Sequence, residues 1–226
     1  HPWTYPAPLL DLDAESLELW PDTAARLRAE TGIDVELRTT GLLSLIETES
    51  DEREAALRVD WKRSRGERVD HLSTADALAA EPLLNPAIRG ALLMPDLAQV
   101  RAHRVAPALA LAAAAHGADV RENVAVLELS SNRSEEHTGE QVTGARTTAG
   151  DVAADAVVLA AGAWSGGLLP AFHRPPATLT RPARGQMLAV RNTPRALRHM
   201  VLANGDYLVP RADGCVLAGS TLEYVG

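Results

Sequence analysis

The sequence is poor in aromatic residues, lysine and cysteine. Phe, Tyr and Trp make up 4% of the 226 residues, so the core has to be built mainly from leucine, valine and alanine. The single cysteine, Cys215, excludes an intrachain disulfide and is compatible with a reducing cytoplasm. Lys62 is the one lysine, and the net charge is −8. Because a nucleic-acid-binding face needs clustered cations, we expect no nucleic-acid partner.

Long apolar runs and metal-ligand patterns are also lacking. The longest nearly apolar run, Val105 to Ala115, is shorter than the about 20 residues that a membrane-spanning helix needs. The N-terminus lacks the basic and apolar regions of a signal peptide, so we predict a cytoplasmic protein without a membrane partner. The seven histidines fall in no ligand spacing, which predicts that there is no metal site.

Apolar periodicity predicts a mixed α/β chain in which helices alternate with strands and then give way to a meander. Leucines at helical spacing predict a helix over residues 8–31 that ends at Gly32. Two strands around Gly41 are predicted between Asp34 and Ile46. Further helices are predicted at 49–65, from Ser73 to before Pro82, and at 101–116, where Pro107 requires a late start or a kink. Further strands are predicted at 69–72, 88–94, 124–129, 141–147, 154–160, 185–190, 200–203, 207–210 and 215–218.

The segment Asp155 to Ser165 reads Asp-Ala-Val-Val-Leu-Ala-Ala-Gly-Ala-Trp-Ser. A strand of valine and leucine ends there in Ala161-Gly162, where the backbone can approach another group closely, and then turns into a helix. The alternative is an ordinary buried strand followed by a helix cap.

Two later segments complete a pattern. One is Arg-Pro-Ala-Arg-Gly-Gln-Met-Leu at 181–188, and the other is Tyr-Leu-Val-Pro-Arg at 207–211, followed by Gly-Ser-Thr-Leu-Glu at 219–223. Together with the segment at 155–165, they resemble the D-amino-acid oxidase superfamily of FAD-dependent oxidoreductases, and in particular its glycine-oxidase branch. The order and spacing of the matches cover essentially the whole chain.

The resemblance implies that FAD is the cofactor and that four positions lie against it. These cofactor-binding positions are Val126, Ala161, Gly162 and Trp164. At the position of Val126 the family reads the adenine edge with backbone groups, so a core valine would look the same in the sequence.

The resemblance also implies a substrate pocket with Gly205, Tyr207 and Leu222 in its wall and no catalytic side chain. Tyr207 can donate a hydrogen bond to a small carboxylate while its ring limits the size of the pocket. The alternative for Tyr207 is an ordinary strand residue. Gly205 replaces a polar side chain of some family members, which leaves the substrate preference open.

The implied architecture is part of an FAD-binding domain plus a substrate domain with a mixed, largely antiparallel sheet. Residues 98–173 would form the partial FAD-binding domain, and residues 8–97 and 174–226 the substrate domain. The strands at 35–46 and 207–219 should then share one sheet.

The implied reaction is oxidative deamination of glycine or another small amino acid or amine, in thiamine biosynthesis. A hydride passes to flavin N5, and dioxygen then reoxidises the flavin and yields hydrogen peroxide. Sarcosine oxidase and D-amino-acid dehydrogenase are the rival activities on the same fold, and a homo-oligomer is possible.

The sequence departs from the family in one important respect, because it contains no G-x-G-x-x-G phosphate-binding turn. The family's C-terminal segment, which supplies the arginine that pairs with the substrate carboxylate, has no counterpart either. We therefore expect this chain alone to bind FAD weakly or not at all and to be inactive. The alternative to an enzyme is that the chain is a catalytically inert fragment with a binding or structural role.

Overall fold

The computed structural model describes residues 6–133, 140–169, 182–191 and 197–225. The chain divides into two compact units. The first consists of residues 1–118 and 187–220, and the second of residues 119–186 and 221–226.

The helices and strands alternate as a mixed α/β chain. The helices are α1 (Ala7–Thr31), α2 (Glu49–Ser64), α3 (Thr74–Ala80), α4 (Ala102–Ala115) and α5 (Ser165–Leu168). The strands are β1 (Arg38–Thr39), β2 (Leu42–Ile46), β3 (Asp70–Ser73), β4 (Gly90–Met94), β5 (Ala98–Gln99), β6 (Val126–Arg133), β7 (Glu140–Thr147), β8 (Gly150–Ala153), β9 (Ala183–Arg184), β10 (Met187–Arg191), β11 (Met200–Ala203), β12 (Asp206–Pro210), β13 (Cys215–Gly219) and β14 (Glu223–Tyr224).

Local sequence signals fix the helix ends in the first unit. Helix α1 ends at Gly32, whose φ of 73° lets its N–H bond back to the carbonyl of Arg28. Helix α2 begins with a capping box, in which Thr48 and Asp51 satisfy each other's backbone N–H groups. Helix α4 runs through Pro107 from Ala102, so its start is not delayed.

A seven-stranded sheet is the centre of the first unit, in the order β10-β13-β12-β11-β2-β4-β3. Every neighbouring pair is antiparallel except β11 and β2, which run parallel. The prediction of a mixed, largely antiparallel sheet is therefore confirmed. The expectation that the strands at 35–46 share a sheet with 207–219 is confirmed for β2, which lies in the same sheet as β12 and β13. It is wrong for β1, which pairs with β5 in a separate two-stranded sheet.

Strands β2 and β4 are covered on both faces, so their residues are apolar in succession rather than in alternation. One face carries a core that includes α3. This core consists of Leu43, Ala77, Leu84, Ile88, Ala91 and Val201. The other face carries a core that includes α2. This second core consists of Ile46, Ala55, Val59, Val69, Leu92 and Met94. Helices α1 and α4 pack on each other around a third core, with members Leu27, Val35, Ala108 and Ala112.

A buried carboxylate fixes the chain where β11 begins. Glu81 is fully buried, and its Oε2 atom accepts hydrogen bonds from the backbone N–H groups of Arg198 (2.6 Å) and His199 (3.2 Å). These bonds satisfy two donors that would otherwise lack a partner before the parallel β11–β2 ladder starts.

The second unit contains a three-stranded meander, β6-β7-β8, and a short antiparallel pair formed by β9 and β14. The prediction of a buried strand at 154–160 is wrong, because this segment has no strand conformation and Val158 is 90% exposed. A strand needs a neighbour to complete its hydrogen bonds, and among the described residues no strand lies beside 155–160.

The domain assignment concerns which residues bind flavin and which bind substrate, and it stays a prediction. The compact units divide after residues 118, 186 and 220, so α4 belongs to the first unit. In the described part of the chain, no helix is both long enough and apolar enough to cross a membrane.

Candidate functional site

Three residues lie side by side across one end of the seven-stranded sheet. Tyr207 on β12 pairs with Gly219 on β13, and Gly219 pairs with Met187 on β10. Residues directly opposite one another in antiparallel strands present their side chains on the same face. The register therefore puts a phenol and a thioether on either side of a glycine.

Gly219 allows the two side chains to meet. A Cβ atom at this position would lie 2.9 Å from Met187 Cγ and 2.9 Å from Tyr207 Oη. Such distances are shorter than real Cβ contacts, so any larger residue would push the tyrosine and the methionine apart. Gly219 thus leaves open the space in which the two side chains meet.

Across this gap, the Tyr207 hydroxyl donates a hydrogen bond to Met187 Sδ at 2.9 Å. We call these two residues the tyrosine–methionine pair. A thioether sulfur is a weak acceptor, whereas a carboxylate makes a charge-assisted bond about twice as strong as a neutral one. The hydroxyl is thus held in position by a partner that a small anion could displace.

The other predicted substrate residues are placed differently. Gly205 follows Asn204 in the two-residue turn between β11 and β12, and both have positive φ, 50° and 90°. That is the geometry of a type I′ hairpin, for which Asn-Gly is strongly favoured, so the turn alone explains this glycine. Gly205 lies at the same end of the sheet as Tyr207. Leu222 is an exposed residue of the second unit.

The predicted cofactor residues all belong to the second unit. Val126 is the first residue of β6, and α5 lies beside this strand. Ala161 and Gly162 lead into a single 3-10 turn that ends at Trp164, immediately before α5. The structure therefore brings the end of the 155–165 segment next to the strand that Val126 begins.

Two observations are compatible with FAD at these residues. Gly162 has a φ of 54°, and the space where its Cβ would lie is open. Trp164 is 77% exposed, so its ring is free to pack against an aromatic ring of the cofactor. Binding of FAD by Val126, Ala161, Gly162 and Trp164 stays a prediction.

A network of charged side chains lies at the opposite end of β12. Arg211 donates to Gln99 Oε1 at 2.9 Å, while Arg101 donates to Glu36 at 2.8 Å and to Asp213 at 3.0 Å. The bond from Arg101 holds the pKa of the Asp213 carboxyl below its usual value. Arg211 lies four residues after Tyr207, or roughly 13 Å along the strand, so this network fixes the β12–β13 hairpin without contacting the tyrosine–methionine pair.

Among the residues that the structure describes, no group of three or more His, Cys, Asp or Glu side chains could hold a metal ion. Cys215 is a free cysteine at the start of β13, partly buried.

Comparison with known proteins identifies the family. The family model described as DAO, FAD dependent oxidoreductase, matches residues 1–226. The chain belongs to the FAD-dependent oxidoreductase family. The resemblance seen in the three sequence segments is therefore confirmed, and FAD is the cofactor of the family.

Relatives within this family are glycine oxidases. The chain is 35% identical to the glycine oxidase of Pseudomonas putida over 227 aligned residues, which cover 100% of the chain and 59% of the relative. The crystal structure of glycine oxidase from Geobacillus kaustophilus matches with a TM-score of 0.83 and 35% identity, over 98% of this chain and 58% of that one. A bifunctional ThiO/ThiG protein from Synechocystis is 29% identical over 97% of the chain and 31% of its own length. The chain thus spans less than two thirds of the length of these relatives.

Sequence reasoning gave no role to two residues of the site, Met187 and Gly219. Both lie in the quoted segments, and the alternation of β10 and β13 indicates which face each residue occupies. They contact Tyr207 because the strands lie in the order β10-β13-β12, and this order cannot be predicted from residue spacing within one segment.

Proposed function

We propose that the protein in which this chain lies oxidatively deaminates glycine or another small amino acid or amine, with dioxygen as the electron acceptor. The proposal rests on the tyrosine–methionine pair, in which the Tyr207 hydroxyl at one end of the sheet donates only to a weak sulfur acceptor. The chain that carries this pair belongs to the FAD-dependent oxidoreductase family. The identity to glycine oxidases supports the choice of substrate.

Tyr207 has two roles in this proposal. Its hydroxyl turns from Met187 Sδ to the carboxylate of the substrate, which exchanges a weak neutral bond for a charge-assisted one. Its ring, partly buried in β12, limits the space beside the bound amino acid and selects for small side chains. Gly205 and Leu222 remain predicted members of the pocket wall.

The chemistry that FAD supplies when bound is removal of a hydride from the substrate carbon, with peroxide formed from dioxygen afterwards. In this proposal the tyrosine–methionine pair acts by binding and orientation, and no side-chain base is needed if the substrate amine is bound in its free form.

The remaining parts of the proposal concern the cell. A role in thiamine biosynthesis is supported by the similarity to the ThiO/ThiG protein. A cytoplasmic location and a homo-oligomeric state stay predictions.

A substrate screen tests the proposal. The purified whole protein, loaded with FAD, is offered glycine, sarcosine, D-alanine and a bulky D-amino acid, while oxygen consumption and peroxide are followed together. We expect the highest kcat/KM for glycine and equal amounts of oxygen consumed and peroxide formed. Turnover with an artificial quinone but not with oxygen would instead indicate a D-amino-acid dehydrogenase, and a preference for sarcosine would indicate a sarcosine oxidase.

A further inference from the structure

Met187 differs from the other methionines of the chain in its accessibility. The sequence contains three methionines. Met94 is 5% exposed and Met200 is 9% exposed, because both contribute to buried parts of the sheet, whereas Met187 is 54% exposed. Oxidation of a thioether requires that the oxidant reach the sulfur. Of the three, Met187 alone is an exposed residue.

The same sulfur contacts the candidate substrate residue. Met187 Sδ lies 2.9 Å from the Tyr207 hydroxyl and accepts its hydrogen bond. A thioether sulfur carries two lone pairs, so one can accept this bond while the other stays available to an electrophile. A chemical change at this sulfur therefore acts directly on the hydroxyl that we assign to the substrate carboxylate.

We propose that Met187 is a modification site at which hydrogen peroxide converts the thioether to a sulfoxide and thereby weakens substrate binding. This inference rests on the proposed function, because the oxidase reaction is the source of the hydrogen peroxide. In the reaction, a sulfur lone pair attacks one peroxide oxygen, the O–O bond breaks, and an S–O bond forms. The second oxygen leaves as water with both peroxide hydrogens, so sulfur loses the two electrons that the peroxide gains.

The expected consequence follows from hydrogen bonding. A sulfoxide oxygen is a strong acceptor, unlike the thioether sulfur that it replaces, and it stays covalently attached beside Tyr207. The hydroxyl then donates to the sulfoxide, and a substrate carboxylate has to compete for it. Oxidation at Met187 thus makes the enzyme respond to its own product, and a methionine sulfoxide reductase could reverse the change.

The site is tested by mass mapping after peroxide treatment of the whole, FAD-loaded protein in the absence of substrate. Each sulfoxide adds about 16 Da to its peptide. We expect Met187 to be oxidised at least about tenfold faster than Met94 and Met200, because rates follow exposure. Equal rates at the three positions would overturn the assignment of the site. This readout needs no turnover, so it is independent of whether the proposed function is correct.

The consequence is tested on variants compared before and after the same treatment. Met187→Leu removes the sulfur and keeps the volume, while Met200→Leu is the matched control that retains Met187. After treatment, KM for glycine should rise about three- to tenfold in the wild type and in Met200→Leu, by loss of one hydrogen bond. It should stay at its untreated value in Met187→Leu. An equal rise in Met187→Leu would assign the effect to another group, such as Cys215, and would refute the proposal.

Discussion

Replacing Tyr207 with phenylalanine removes one hydroxyl and keeps the ring that narrows the proposed pocket. In the unliganded chain, the lost contact is the bond to Met187 Sδ, and a weak acceptor of this kind contributes at the low end of the usual about 0.5–1.5 kcal/mol. The variant should therefore fold, with a free energy of unfolding lowered by no more than about 1 kcal/mol.

Substrate binding should be affected more strongly. A hydrogen bond to a charged group is worth about 1.5–3 kcal/mol, from which the displaced bond to sulfur is subtracted, leaving about 1–2.5 kcal/mol. At about 1.4 kcal/mol per factor of ten, kcat/KM for glycine should fall roughly 5- to 70-fold. Most of the change should appear as a higher KM, because the interaction is made with the substrate carboxylate before and during the reaction.

Steady-state kinetics and thermal unfolding are measured on the same preparations, with Met187→Leu as the matched control. That variant removes the acceptor of the hydroxyl but leaves the hydroxyl itself, so its KM should change less than that of Tyr207→Phe. If the tyrosine serves only strand stability, both variants should lower the melting temperature alike and leave KM unchanged. An unchanged KM in Tyr207→Phe would refute the substrate-binding role.

Three further predictions concern the residues that shape the site and the fold. Gly219→Ala should raise KM for glycine by separating the tyrosine–methionine pair, since its Cβ would lie 2.9 Å from both side chains; full activity in this variant would contradict the required close approach. Glu81→Ala leaves two backbone donors without their acceptor and should lower the free energy of unfolding by about 1–3 kcal/mol in urea titrations, with a smaller loss in Glu81→Gln. The hydrogen bond from the Thr48 backbone holds the pKa of Asp51 below its usual value, so this carboxylate stabilises the fold above about pH 3.9, and that contribution is lost as the pH falls through the depressed folded value. Asp51→Asn should therefore show a shallower loss of stability in acid than the wild type, and identical acid titrations would contradict this assignment.

Local signals were sufficient to predict most helices and the strand pairs that are close in sequence. The helix at 8–31 was predicted from leucine spacing and from Gly32, and the structure ends α1 at Thr31 for the same reason, a glycine with positive φ. The hairpin of β12 and β13 likewise follows from two strand segments joined by a short turn with Asp213-Gly214.

Sequence patterns could not predict which strands pair when they are far apart in the chain. Strand β11 lies parallel to β2 although more than 150 residues separate Met200 from Leu42, and nothing local to either segment specifies this neighbour. The same limit explains why Met187 was not predicted to contact Tyr207. It also explains the error at 154–160, because a run of valine and leucine indicates that a segment could be a strand but cannot supply the partner strand that it needs.

For the candidate flavin residues too, the sequence predicted the local backbone but not its partner. The Ala161-Gly162 step was predicted as a place of close backbone approach, and Gly162 does adopt a positive φ of 54°. The sequence pattern does not identify the group that approaches Gly162. The exposure of Trp164 and Val158 indicates a cofactor surface only once the chain is known to belong to an FAD-dependent family.

The proposed function is tested most directly by anaerobic mixing of the whole, FAD-loaded protein with glycine while the visible absorbance of the flavin is recorded. We expect the yellow colour to bleach at a rate that saturates with glycine. Admission of oxygen should then restore the colour with one peroxide formed for each flavin. The Tyr207→Phe variant should reach the same limiting rate only at higher glycine concentrations. A flavin that stays oxidised with glycine, sarcosine and D-alanine alike would contradict the proposed function.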